Sequence, residues 1–119
     1  MNLPEVRQRR NLLFDFYEAM LTPKQREIFA LHYMEDNSLA EIADSMGITP
    51  QAVADMLKRV NGRLNHYDSL LGLVEKFESQ QATAAKINLA LDDVEKTAAS
   101  PEASAAILQI RRLVDSLVQ

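Results

Sequence analysis

Between Ser38 and Leu57 the chain reads SLAEIADSMGITPQAVADML, and this segment limits the fold more than any other. Ser38 and Glu41 have the spacing of a reciprocal N-terminal cap, in which the hydroxyl accepts from the backbone three residues on and the carboxylate returns the bond. Gly47 falls where the first helix would end, and glycine takes the left-handed backbone of such an end without steric cost. Thr49-Pro50 opens a second helix two residues later, with proline at the favoured first helical position. Two helices joined by so short a turn must cross steeply and approach closely. Ala43 supplies a small residue inside the first helix. Ile48 supplies an apolar plug directly after the turn, and Ile42, Met46, Val53 and Met56 supply apolar side chains for the inner faces. Together these features predict a helix-turn-helix; an ordinary helical hairpin would not need them all at once.

The rest of the chain agrees with an all-α fold. Apolar residues recur at steps of three and four, and no stretch alternates as a strand would. A first helix is predicted from about Pro4 to Met20, with Leu12, Leu13, Phe16, Tyr17 and Met20 on one stripe. Thr22-Pro23-Lys24-Gln25 restarts the chain with a capping box, and the second helix carries Ile28, Phe29, Leu31 and His32 to near Glu35. The helix opened by Thr49 is expected to end or bend between Gly62 and His66. Beyond it, Tyr67, Leu70, Val74 and Phe77 are spaced as the seam of a helix packed along a partner. The stretch ESQQATAAK (78–86) reads equally as a continuous exposed helix or a break. Ile87, Leu91 and Val94 restore the stripe, Ser100-Pro101-Glu102 starts a last helix, and Ile107, Ile110, Val114 and Leu117 repeat the seam spacing. The pattern divides the chain into a helix-turn-helix domain, residues 1–65, and a C-terminal helical arm, residues 66–119. An isolated arm could not bury its stripe alone, so the arm is expected to dimerise or to dock a partner, and the reading favours a homodimer.

Composition narrows the function classes. The 119 residues carry 13 Lys plus Arg against 17 Asp plus Glu, a net charge of −4. An acidic chain is a poor nonspecific DNA binder, because Lys and Arg must replace the counterions condensed on phosphate. The absence of cysteine excludes disulfides, thiolate metal sites and thiol catalysis. No apolar run approaches the ~20 residues that span a bilayer, and no signal peptide is evident, so a cytoplasmic protein without membrane insertion is expected.

A helix-turn-helix is a shape before it is a function. On the second helix the outward positions include Pro50, Gln51, Ala54, Asp55 and Lys58. Base edges and phosphates are read by Arg, Lys, Asn and Gln. The candidate nucleic-acid contacts are therefore Thr49 and Gln51 at the helix start, Lys58, Arg59 and Arg63 further along, and Arg26 on the preceding helix. Asp55 would repel phosphate. Lys58, Arg59 and Arg63 read as well as a solvated helix end, where cations complement the dipole.

No catalytic constellation accompanies the motif. His32 sits among Phe29, Leu31 and Tyr33, as a packed histidine does, and His66 is expected at a helix end, where a cation complements the dipole. No pair of histidines has helical zinc spacing. The carboxylate pairs Glu35-Asp36 and Asp92-Asp93 are sequence neighbours, which diverge on a helix. No phosphate-cradling glycine loop occurs. The reading is a non-enzymatic protein with no metal, no cofactor and no small-molecule substrate.

Two resemblances stand beside these arguments. Leu21 to Leu64 resembles region 4 of bacterial sigma factors. More closely, Leu12 to Ala43 (LLFDFYEAMLTPKQREIFALHYMEDNSLAEIA), QAVADMLKR and LLGLVEKF resemble the YlxM family, small proteins of Firmicutes-type bacteria, over about residues 10–80. The family has an aromatic where this chain has Ala54 and a basic residue where it has Pro50. Both departures count against base reading or phosphate binding at the helix start. The resemblance implies a regulatory protein of the signal recognition particle pathway, acting through the particle's protein or its RNA. The alternative is a sequence-specific DNA-binding regulator, which would need a dimer with recognition helices about 34 Å apart.

Overall fold

A computed structural model describes residues 2–97 and 100–118. The described residues form six α-helices and no strand. Helix α1 spans Leu3–Tyr17, α2 Pro23–Phe29, α3 Leu39–Met46, α4 Pro50–Leu71, α5 Leu73–Thr97 and α6 Pro101–Leu117. Local capping explains the starts. Asn2 and Glu5, Thr22 and Gln25, and Ser38 and Glu41 each exchange both bonds of a capping box. Thr49 and Ser100 cap α4 and α6 through their hydroxyls.

The chain divides into two compact units, one up to Val74 and one from Glu75. The first is built around Leu13, Phe14, Tyr17, Leu21, Ile28, Phe29, Ile42, Ala43, Val53, Leu57, Val60, Leu64 and Val74. Phe14 lies flat on Phe29, with ring centroids 4.3 Å apart and 4° between the planes. This stack corrects the predicted stripe on α1. Phe14 is buried in place of Phe16, and Phe16 and Met20 are exposed. After Tyr17 the helix tightens into a 3₁₀ turn, Glu18–Met20, whose narrower winding takes Met20 off the stripe. At its far end α2 widens into a single π turn, Ala30–Met34.

Two other expectations are corrected at Gly72. Helix α4 neither ends nor bends at 62–66. Gly62 has open space around it and does not interrupt the helix, which runs on until Gly72 adopts φ 63°, ψ 29°. The predicted Tyr67–Leu70–Val74–Phe77 seam therefore spans the break at Gly72 and does not lie on one helix. Tyr67 packs against the core from α4, Val74 is buried from α5, and Leu70 is exposed. Residues 78–86 lie within unbroken α5.

In the second unit Ala84, Ile107 and Val114 are buried, whereas Ile110 and Leu117 of the predicted α6 seam are exposed. Arg111 ties α6 to α5: its guanidinium donates to the Asn88 side chain at 3.2 Å, to Glu95 at 3.2 Å and to Asp92.

Candidate functional site

The segment from α3 to α4 folds as its sequence requires. Gly47 sits at φ 69°, ψ 32°, the left-handed conformation that stops α3. Ile42, Ala43 and Val53 are buried, and Met46, Ile48 and Met56 pack half-buried against the same core. The Ile48 amide closes the turn by donating to the Ala43 carbonyl at 3.1 Å. Ala43 is itself 2% exposed. A larger side chain there would push α3 off its neighbours, which is why the motif needs a small residue at this position.

The candidate contact residues separate into two groups. Thr49 accepts the Ala52 amide at 3.1 Å, and the Gln51 amide donates to the Asp55 carboxylate at 3.1 Å. Arg26 donates to the Leu21 carbonyl at 2.7 Å and to the Glu18 carbonyl at 3.3 Å, closing the 3₁₀ turn after α1. These three side chains already have intramolecular partners. Lys58, Arg59 and Arg63 are exposed on α4, and none of the hydrogen bonds or ion pairs among the described residues involves them. Arg59 and Arg63 are four residues apart and share a helix face.

With this geometry in view, similarity to known proteins is specific. A model of the UPF0122 family, described as "Putative helix-turn-helix protein, YlxM / p13 like", matches residues 5–102. The chain belongs to the UPF0122 family. It is 42% identical over 91 residues to a UPF0122 protein of Bacillus mycoides, covering 76% of this chain and 83% of the relative. It is 48% identical over 77 residues to one of an Exiguobacterium species, covering 65% and 72%. A Bacillus thuringiensis relative is 41% identical over 91 residues, covering 76% and 83%. The YlxM resemblance read from residues 10–80 therefore holds and reaches further along the chain.

In this UPF0122 chain the structure also shows functional-looking polar groups that sequence reasoning missed. Asp68, 9% exposed, is the buried charge of the first unit. It accepts from the Tyr17 hydroxyl at 2.7 Å, the Arg9 guanidinium at 3.2 Å and the Val74 amide at 3.2 Å. The Tyr17 oxygen in turn accepts the Leu73 amide at 3.2 Å. Burial pushes the Asp68 carboxyl up, but the bonds from Tyr17 and Val74 and the charge of Arg9 outweigh it, and the group lies below the usual carboxylate range. Burial and the Asp68 bond raise the Tyr17 phenol. The network pins α1, α4 and the start of α5 around Gly72, which is a structural role. An Asp four residues before a glycine was the available signal, but its partners lie as far as 59 positions away.

A second missed feature is an aromatic platform. The Arg10 guanidinium lies 3.9 Å above the Tyr33 ring, the Tyr33 hydroxyl accepts from the Asn61 amide at 2.9 Å, and Phe29 packs 4.7 Å from the ring. His32 is half-buried, with Nδ1 2.9 Å from the Asn37 carbonyl, the packed histidine that the sequence predicts. No helix among the described residues is long and apolar enough to cross a membrane.

Proposed function

We propose that this helix-turn-helix protein is a non-enzymatic cytoplasmic regulator that acts by docking onto a ribonucleoprotein. The signal recognition particle, through its protein or its RNA, is the partner to test first. The observation that carries the docking reading is the commitment of Thr49 and Gln51 to bonds within α4. The bond to Asp55 orients the Gln51 amide along the helix, so turning it onto a base edge costs that bond, and the helix start is poorly equipped for direct readout. Lys58, Arg59 and Arg63 supply a local cation cluster suited to phosphates or to acidic side chains. The particle itself enters through the family resemblance.

The unit up to Val74, with the helix-turn-helix, is the docking module, and the arm from Glu75 dimerises. Support for dimerisation comes from Leu108, Leu113 and Leu117 of α6, which are 50%, 59% and 74% exposed. A second copy of this arm would cover such side chains. Sedimentation of the full chain with the particle's GTPase and its RNA at micromolar concentration tests the docking reading. Comigration is expected, and its absence removes the particle as partner. Sedimentation equilibrium tests the dimer, which a concentration-independent monomer contradicts.

The intact α3–Gly47–α4 geometry favours one second reading, a sequence-specific DNA regulator. Selection from random duplexes at low salt decides it. No enriched sequence, with Lys58→Ala binding as the parent does, discards it.

A further inference from the structure

We propose that the cleft between the first half of α1 and the turn leading into α3 is a phosphate site for a nucleic-acid backbone, held by Arg7 and Arg10. The cleft measures about 520 Å³ and is lined by Arg7, Arg10 and Asn11 from one side and His32, Asn37 and Ser38 from the other. This inference deepens the ribonucleoprotein reading by naming where a backbone is gripped, apart from α4.

The arginines of α1 are sorted by task. Arg9 is paired with Asp68. Arg7 and Arg10, three apart and so on one face, both line the cleft. Among the described residues Arg7 has neither hydrogen bond nor ion pair. Arg10 has the Tyr33 ring beneath it, and its shielded Nε has no hydrogen-bond partner. Asp36 also lines the cleft, at φ 57°, yet forms no ion pair with either arginine. Two guanidinium groups line one hollow against a single carboxylate, which leaves it a net positive charge.

The Arg10 donors are preorganised. Tyr33 is fixed by Asn61 and Phe29, so the guanidinium above it rests on a fixed seat. A rigid planar fork matches two phosphate oxygens and loses little side-chain freedom on binding. Asn11 and Asn37 line the same hollow, and asparagine amides suit the sugar and ester oxygens flanking a phosphodiester. Phosphodiester is the shared chemistry of RNA and DNA, and the experiment separates them.

The test uses the full chain with an RNA hairpin, a DNA duplex of the same stem sequence, and poly-glutamate as a non-phosphate polyanion. Backbone and arginine side-chain NMR resonances are followed, and affinity is measured against salt. Arg7→Glu should weaken nucleic-acid binding about tenfold and lower the salt slope by roughly one. Arg10→Lys, which keeps charge and loses the fork, should weaken it several-fold. Arg7 is exposed and without a partner, so its variant keeps the fold, as an unchanged spectrum elsewhere would show. Tighter binding of RNA identifies it as the source, and tighter binding of DNA identifies DNA. Shifts confined to Gln51, Lys58, Arg59 and Arg63, with both cleft variants binding as the parent does, overturn the inference and leave the α4 surface as the docking face. Shifts confined to the cleft uphold it and remove α4 from contact. Binding of neither nucleic acid overturns it while protein docking stands, and poly-glutamate moving the cleft resonances as strongly overturns it in favour of an acidic peptide.

Discussion

Two corners of the first unit are both made by glycine and are held in opposite ways. Gly47 and Gly72 adopt nearly the same left-handed backbone, φ 69° and 63°. At Gly47 the flanking helices are held by apolar packing, with Ile42, Ala43 and Val53 buried and Ile48 plugging the turn. At Gly72 they are held by a buried charge, Asp68, which gathers Tyr17, Arg9 and Val74. Apolar packing is non-directional and insensitive to pH. A buried carboxylate holds only while it is ionised and fully bonded. The helix-turn-helix corner is thus the robust one, and the corner leading into α5 is conditional.

The largest effects should come from removing the centre of each corner. Ile42→Ala should cost about 3 kcal/mol through lost transfer energy and a cavity. Asp68→Ala should cost about 3 kcal/mol by stranding the Tyr17 hydroxyl and the Val74 amide. Urea unfolding measures both, and an Asp68→Ala loss near zero would show that the polar corner holds nothing.

The pH dependence distinguishes the two corners. The folded Asp68 carboxyl lies below its unfolded value, so its contribution is complete above the unfolded pKa of about 3.9 and disappears as pH falls through the lower folded value. The raised Tyr17 phenol has the opposite sense: its contribution is complete below about pH 10 and disappears as pH rises through the folded value. Urea midpoints should fall between pH 5 and pH 2 in the parent, and less steeply in Asp68→Asn. Ile42→Ala should keep the parent's pH slope.

Smaller effects test the backbone. A Cβ at Gly47 or Gly72 would meet nothing within 4 Å, so Gly47→Ala and Gly72→Ala should each cost about 1 kcal/mol from the left-handed backbone alone. Unequal values in thermal unfolding would mean that one corner relaxes. The smallest change is Arg7→Glu, expected within about 0.5 kcal/mol of the parent by the same measurement. A larger loss would give Arg7 a structural role.

Legibility in the sequence followed the range of each interaction. The Thr22–Gln25 and Ser38–Glu41 capping boxes and the Gly47 turn are written within a few residues, and the structure places them where the pattern does. Phe14 and Phe16 are equally apolar, and only the arrival of Phe29 on α2 decides that Phe14 goes inside. Arg26 looks like an available cation until its two carbonyl partners are in view. Gly72 went unread because the Leu70–Val74 spacing continues across it.

The sequence by itself determined that this chain is helical, where most of its helices begin, that a helix-turn-helix stands at Gly47, and which family it resembles. Caps, turn glycines and three-to-four spacing act over one or two helical turns, so the order of residues is enough to define them. Only the tertiary structure decided which charges are paired and which face solvent: Arg9 inward to Asp68, Arg7 and Arg10 toward a cleft, Thr49 and Gln51 held within α4. Pairs such as Arg9 with Asp68 form only after distant segments pack together, and no local pattern specifies which segments those will be.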